Sequence, residues 1–316
     1  MYTIKDKDIY VLLGRERETP GWRQGSHKWS AFSGKVELHE TALQAAAREF
    51  TEEACACVSL DLTPIPTSAE SVAAALRAWG VPVEQSTLVK GERLLYCTYV
   101  FRLPYAPFRH VFAETRTRLL ELDAVFRHFY RIKKLADIAP RFFLPGFMLS
   151  AQLTVANFEV LSDTEVQVTM HETSPACEID FIFLVTADVA SMLRELRTAW
   201  QNVVSFIGAR SHDPIFQHPA VNVVRSQNRI VSAYVNKAYL EKCEIDWWKL
   251  DDLLRARDTH FSQDTPFRRL FLENVPMLAR RIFELERANR DCHGTISDTI
   301  TSATTPIESV CNDDDG

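Results

Sequence analysis

Three features that mark exported or membrane-bound proteins are missing from this sequence. No apolar run approaches the length of about eighteen residues that predicts a membrane-spanning helix. The first residues carry several charges and a short apolar run, which predicts a strand rather than a signal peptide. The seven cysteines are scattered and lack CxxC spacing, so they indicate neither a disulfide framework nor a zinc site. We therefore expect an intracellular protein in the reducing cytoplasm, without a membrane partner.

The composition is that of an ordinary globular protein. The chain has 316 residues, of which 46% are hydrophobic and 25% charged, enough for one large domain or two modest ones. A net charge of −6 argues against a surface that binds polyanions everywhere. Residues 102–141, however, hold nine basic side chains against four acidic ones. This local excess either guides a phosphate-rich ligand to one face or is an ordinary solvated helix face.

Hydrophobic periodicity predicts strands and helices in alternation, and hence an α/β fold. The predicted strands cover residues 8–14, 28–37, 93–103, 155–159, 165–171, 178–185, 220–224 and 229–234. The predicted helices cover residues 41–54, 69–79, 112–136, 187–206, 250–256 and 266–288. Residues 289–316 are rich in Ser, Thr and Asp, with little to bury, which predicts a disordered tail.

The predicted helix at 41–54 concentrates negative charge. At about 100° per residue, Glu49, Glu52 and Glu53 fall within one arc of the helix, beside an apolar stripe. Such spacing destabilises a helix unless a cation lies between the carboxylates, and Arg48 is placed beside Glu52 at i,i+4. Three carboxylates within one turn are hard oxygen ligands for Mg²⁺ or Mn²⁺, and magnesium shares its remaining ligands with substrate phosphates. The alternative is a glutamate-rich surface helix without a ligand.

The wider spacing decides between these alternatives. Gly34 is followed by five residues, Glu40, seven residues and then Arg-Glu-Phe-Thr-Glu-Glu at 48–53. Six anchors at fixed distances arise by chance in roughly one chain in ten thousand. This pattern resembles the Nudix box, the signature of the Nudix hydrolases. The chain departs from the box at Cys55, which stands where a glycine is expected, and at Ala56, which stands where a larger apolar residue is expected.

The departure at Cys55 concerns the backbone. The glycine of the box ends the helix in a left-handed conformation, where a residue with a Cβ costs on the order of 1 kcal/mol. We therefore expect an unusual helix end rather than a loss of chemistry. For Cys55 and its neighbour Cys57, buried free thiols are favoured over a redox or metal-binding role.

The resemblance implies a fold and a chemistry. The fold is an α/β/α sandwich around a mixed sheet, here with a large α+β insertion. Residues 1–104 and 236–288 would form the Nudix domain, residues 105–235 the insertion or accessory region, and residues 289–316 the tail. The activity is hydrolysis of the diphosphate linkage in a nucleoside diphosphate joined to another group, with Mg²⁺ or Mn²⁺ as cofactor.

The resemblance also assigns roles to the residues of the box. Glu49, Glu52 and Glu53 would bind the metal together with the Gly34 carbonyl, and Arg48 and Glu40 would support them. Bound metal would neutralise charge on the pyrophosphate bridge, and a glutamate would accept the proton of the attacking water. Outside the box, Glu244 is a candidate catalytic base together with its neighbour Glu241, and the alternative is that both are ordinary exposed glutamates.

The substrate is less determined than the reaction. The length of the chain, the basic segment 102–141 and aromatic residues near the box favour capped RNA, and the long, inserted format resembles messenger-RNA decapping Nudix enzymes. Trp22, Trp29 and Lys35 are the candidate substrate-binding residues, although Trp29 also fits a core position. The alternatives are a hydrolase of small nucleotides (nucleoside triphosphates, nucleotide sugars or dinucleotides) and a binding module without catalysis. The presence of all three box glutamates argues against the last.

Overall fold

The computed structural model describes most of the chain. The described residues are 1–22, 25–58, 66–89, 92–143, 153–173, 176–210, 212–226, 229–258 and 265–301. The chain divides into two compact units, one of residues 1–49, 70–107 and 245–316 and the other of residues 50–69 and 108–244. Each unit is described by itself below as the first or the second unit.

The first unit is built on a sheet of β1 (Tyr2–Lys5), β2 (Asp8–Glu16), β3 (Trp29–Ser30) and β11 (Lys242–Lys249). The strand order is β1-β2-β11, with β3 paired to β2. Strands β1 and β2 form an antiparallel hairpin in which Lys5 pairs with Asp8. The two loop residues, Asp6 and Lys7, both have positive φ, as the tight turn of a two-residue hairpin requires.

Helices α5 (Leu250–Asp258) and α6 (Arg269–Thr301) pack on this sheet and complete the core of the first unit. The chain also forms α2 (Ala69–Trp79) and a second hairpin, which pairs β4 (Val81–Val89) with β5 (Glu92–Val100). The core joins buried residues of the sheet and the two C-terminal helices: Tyr2, Val11, Leu13, Trp29, Val100, Leu250, Leu253, Phe267, Phe271, Leu272, Val275, Ala279 and Ile282. Burying such apolar side chains is the main favourable term in folding.

The second unit combines long helices with short antiparallel sheets. Its elements are α3 (Phe108–Phe143), β6 (Leu153–Val160), β7 (Glu165–Thr173), β8 (Ala176–Leu184), α4 (Ala187–Ala209), β9 (Val221–Ser226) and β10 (Arg229–Val235). Strands β6, β7 and β8 form a meander, and α4 covers it through Leu193, which packs with Phe158, Val166 and Val168. Helices α3 and α4 meet through the stacked rings of Phe129 and Trp200, whose centroids are 4.7 Å apart.

These elements confirm the predicted α/β class, since helices alternate with antiparallel sheets along the chain. Strand β4 was missed, because Pro82 and the polar residues after it hide the strand pattern. Helix α6 continues through residues 289–301, where a tail was predicted, and residues 302–316 lie outside the described part. The domain boundaries at 104, 235 and 288 stay a prediction. Within the described ranges, no helix is both long and apolar enough to cross a membrane.

Candidate active site

Helix α1 (Ala42–Glu53) carries the candidate site, and its start is fixed by a capping box. The Thr41 hydroxyl accepts a hydrogen bond from the Gln44 backbone N–H at 3.3 Å, and the Gln44 side chain accepts one from the Thr41 N–H at 2.9 Å. Ala47, Phe50 and Ala54 bury one side of the helix, and Ala45 is buried on the opposite side. The helix predicted at 41–54 is therefore confirmed, and the positions of its glutamates follow from its geometry.

Gly34 is required by the closeness of Glu49. A Cβ atom built on Gly34 would lie 1.8 Å from Glu49 Oε1, far inside any real carbon–oxygen contact. The Glu49 carboxylate is thus packed directly against the backbone of the Gly34 loop. The absence of a side chain at Gly34 makes room for this carboxylate, which explains the glycine of the motif in physical terms.

Arg48 fixes the Glu49 carboxylate from the other direction. Its guanidinium donates to Glu49 Oε1 at 2.7 Å, and to both carboxylate oxygens of Glu40 at 2.9 and 3.1 Å. It also donates to the Lys35 carbonyl at 3.0 Å. Hydrogen bonding to Arg48 is the main cause that lowers the pKa of Glu40 below its ordinary value. These contacts join Arg48 to Glu40 and Glu49 and fit the supporting roles predicted for Arg48 and Glu40, while the helix keeps the i,i+4 spacing of Arg48 and Glu52.

The position of Glu53 in the acidic arc suggested surroundings shared with the other two glutamates. The structure places this side chain in a different environment. It is buried, with 3% of its surface exposed, and its Oε1 is 3.1 Å from Nζ of the equally buried Lys242. Both residues belong to the second unit. Sequence reasoning missed Lys242, although it named its neighbours Glu241 and Glu244 as candidates. A buried ion pair of this kind is costly to break, because removing one partner leaves a charge in a low-dielectric interior.

The three glutamates share one side of α1 by helical geometry, since Glu52 and Glu53 follow Glu49 by three and four residues. Their carboxylates have the chemistry that Mg²⁺ and Mn²⁺ require, and the Gly34 loop leaves room beside one of them. In the part of the chain that the structure describes, no three His, Cys, Asp or Glu side chains are gathered as a metal site. The three carboxylates fit a divalent metal by type and by position along the helix, but their described side chains are not gathered around one point.

The helix ends in the left-handed conformation that the glycine of the box normally provides, although Cys55 stands in its place. Cys55 has φ of 51° and Ala56 of 49°, and the Ala56 N–H reaches back to the Thr51 carbonyl at 2.7 Å. The Cys55 thiol donates to the Tyr239 carbonyl at 2.8 Å. Cys55 is fully buried and free, as predicted, and a hydrogen bond with Cys57 and burial raise the pKa of its thiol well above the ordinary value.

His218 stabilises this helix end from within the second unit. Its Nδ1 accepts a hydrogen bond from the Ala220 N–H at 3.1 Å, so its Nε2 carries the proton and donates to the Cys55 carbonyl at 2.9 Å. Burial lowers the pKa of His218 below its ordinary value, which favours the neutral ring. The strained backbone at Cys55 is thus held by contacts that lie far from it in sequence.

Several other charged residues that the sequence singled out form ion pairs. Arg109 contacts Glu244, the candidate base outside the box, at 2.7 Å. Within α3, Arg127 pairs with Asp123 at 3.0 Å, and Arg118 pairs with Asp213. Part of the positive excess in residues 102–141 is therefore neutralised locally. The catalytic role of Glu244 stays a prediction.

The three predicted substrate-binding residues differ in exposure. Trp22 has 38% of its surface exposed, and the guanidinium of Arg268 lies 5.1 Å from the centre of its ring. Trp29 is buried and packs edge to face against Trp248 at 5.3 Å, which favours the core alternative for this residue. Lys35 is exposed, and its carbonyl accepts the hydrogen bond from Arg48.

A carboxylate edge on a helix, steadied by an arginine and a glycine loop, has the type of ligand that a divalent cation prefers. Residues 2–128 match the family model of the NUDIX domain, a range that contains the Gly34 loop and α1. This match supports Nudix superfamily membership for that part of the chain, and the general activity of the superfamily is metal-dependent hydrolysis of diphosphate linkages. No curated protein and no solved structure gives a match.

Proposed function

We propose that this protein hydrolyses the diphosphate linkage of capped RNA, with Mg²⁺ or Mn²⁺ as its cofactor. The observation that carries the hydrolytic part is the fixed Glu49 carboxylate, held by Arg48 at 2.7 Å and lodged against Gly34. A carboxylate restrained on two sides loses little conformational entropy when it binds a metal. Ordering this side chain therefore subtracts little from the binding free energy.

Glu49, Glu52 and Glu53 would hold the metal, together with the Gly34 carbonyl. A divalent ion there supplies charge neutralisation for the diphosphate and a water of lowered pKa. Arg48 keeps Glu49 in one orientation, and Glu40 keeps Arg48 in place through its two-oxygen contact. A glutamate would accept the proton of the attacking water, and Glu244 is the candidate for this role outside the box.

Trp22 supports a nucleobase as part of the substrate. Its ring is partly exposed, and the Arg268 guanidinium, which also pairs with Glu16 at 3.1 Å, lies over it, so a base would stack on the remaining exposed part of the ring. Exposed Arg131 and Lys134 on α3 add positive charge that suits a phosphate backbone. These features favour a substrate with both a base and a polyanionic chain.

The ion pairs on α3 favour a second candidate, a hydrolase of small nucleotides. Arg109, Arg118 and Arg127 each pair with a carboxylate, which narrows the surface available to RNA. A small substrate needs the box and a base-binding ring, but no long basic surface.

Cap-labelled RNA separates the two candidates. The purified protein is incubated with Mg²⁺ or Mn²⁺ and capped RNA, and with a panel of free nucleotides, nucleotide sugars and dinucleotides. Release of m⁷GDP from capped RNA supports decapping, whereas turnover of free nucleotides without m⁷GDP supports the second candidate. Trp22→Ala should raise KM for the true substrate several-fold, and Trp79→Ala, which removes a 60% exposed tryptophan from α2, should not.

A further inference from the structure

Lys242 brings a positive charge to a carboxylate that the proposed function assigns to the metal. Its Nζ lies 3.1 Å from Glu53 Oε1, and the two side chains have 0% and 4% of their surface exposed. A lysine almost never loses all contact with water unless it is paired. The contact is therefore part of the built interior and not an accident of a mobile surface chain.

A hydrogen bond to its main-chain carbonyl helps to hold Lys242 in this position. The Arg116 side chain on α3 donates to the Lys242 carbonyl at 2.8 Å. Glu53 is held equally well, because it lies in the last turn of α1, just before the left-handed residues Cys55 and Ala56. Neither partner can move away without disturbing the packed second unit.

The fixed ammonium group of Lys242 limits how the Glu53 carboxylate can bind a metal. Mg²⁺ binds carboxylate oxygens at about 2.1 Å, so a metal on Oε1 of Glu53 would lie within roughly 5 Å of the lysine nitrogen. Repulsion between a divalent and a monovalent cation at that distance is strong in a poorly solvated interior. Lys242 therefore makes Oε1 of Glu53 a poor ligand for a metal.

We propose that Lys242 is a positioning residue that takes one oxygen of Glu53, restricts this glutamate to single-oxygen metal contact and weakens the affinity of the site for divalent cations. The inference rests on the proposed function only in that the edge of α1 binds a divalent cation. A weaker site releases metal and the charged product together more readily, so a lower affinity is compatible with turnover.

Mn²⁺ binding to metal-free protein tests this role without any substrate. Free Mn²⁺ is followed by electron paramagnetic resonance, and thermal unfolding is followed with and without Mn²⁺, in the wild type and in Lys242→Gln. The glutamine keeps a hydrogen-bond donor but removes the charge. We expect Mn²⁺ to bind Lys242→Gln at least about tenfold more tightly, because the loss of repulsion outweighs the looser Glu53 side chain. The rise in Tm on adding Mn²⁺ should also be larger in this variant.

Two control variants separate this effect from general damage. Lys242→Arg keeps the charge and should bind Mn²⁺ like the wild type. Lys237→Gln removes another lysine of the second unit, one that pairs with Asp123, and should also leave Mn²⁺ binding unchanged.

Each outcome bears on the proposal. Mn²⁺ affinity of Lys242→Gln that is within twofold of the wild type, or weaker, overturns the role of Lys242 and leaves the proposed function standing. No Mn²⁺ binding by any of these proteins overturns the metal role of α1 together with the inference. If Lys242→Gln is unfolded without metal, recovery of the fold on adding Mn²⁺ supports the proposal, and failure to recover contradicts it.

Discussion

Replacing Gly34 with alanine tests whether the Gly34 loop positions the catalytic carboxylate. The added Cβ would lie 1.8 Å from Glu49 Oε1, and ordinary contact begins near 3.4 Å, so the carboxylate must retreat by about 1.6 Å. The atom that yields is the end of a flexible side chain, so the fold should survive. The retreat separates Glu49 from the position in which Arg48 holds it at 2.7 Å. A misplacement of about 1 Å at a reacting group costs on the order of 10²-fold in rate.

Steady-state kinetics and thermal unfolding together measure this effect. We expect kcat/KM of Gly34→Ala to fall by about 10²-fold or more, with a change in unfolding free energy below about 1 kcal/mol. Gly208→Ala is the matched control, since a Cβ there meets nothing within 4 Å and adds helix propensity inside α4. It should leave activity unchanged. Wild-type activity in Gly34→Ala would refute the reasoning, because Glu49 would then not need its observed position.

Two further predictions concern the end of α1. Burial lowers the pKa of His218, so its contribution to stability is complete above about pH 6.5, the ordinary value, and is lost as the pH falls below it. His218→Gln should therefore lose less stability than the wild type between pH 7 and pH 5 in urea titrations. The exposed control His110→Gln should follow the wild type, and equal acid sensitivity of all three would contradict the assignment. At Cys55, whose φ is 51°, the unfolding free energy of Cys55→Gly in urea should exceed that of Cys55→Ala by about 1 kcal/mol. Both variants lack the thiol, and only alanine keeps the backbone strain. Equal unfolding free energies would show that the backbone there is not strained.

The helix and its motif could be predicted because their causes are local. The 3.6-residue periodicity, the capping residues Thr41 and Gln44 and the fixed spacing from Gly34 to Glu53 all act within one short segment. The loop and the helix therefore meet with little help from the rest of the chain. The missing glycine likewise indicated an unusual helix end, but not that Cys55 itself takes the left-handed conformation.

The partners of the helix could not be predicted, because they come from distant segments. Lys242 and His218 reach the end of α1 only through the fold of the second unit, and no spacing in the sequence connects them to it. Trp29 illustrates the opposite difficulty, since an aromatic residue near a motif fits stacking and core packing equally well until burial is known. Strand β4 was missed for a related reason, because its pairing with β5 outweighs the weak strand propensity of its polar residues.

Hydrolysis by the wild type and by Glu53→Gln tests the central claim most directly. Both proteins are given capped RNA and the nucleotide panel with Mg²⁺ or Mn²⁺, and circular dichroism confirms that the variant is folded. The account predicts cleavage of a diphosphate linkage by the wild type in the presence of metal, and activity at background level in Glu53→Gln. Unchanged hydrolysis by a folded Glu53→Gln protein would contradict the account, because the metal would then be held elsewhere in the chain.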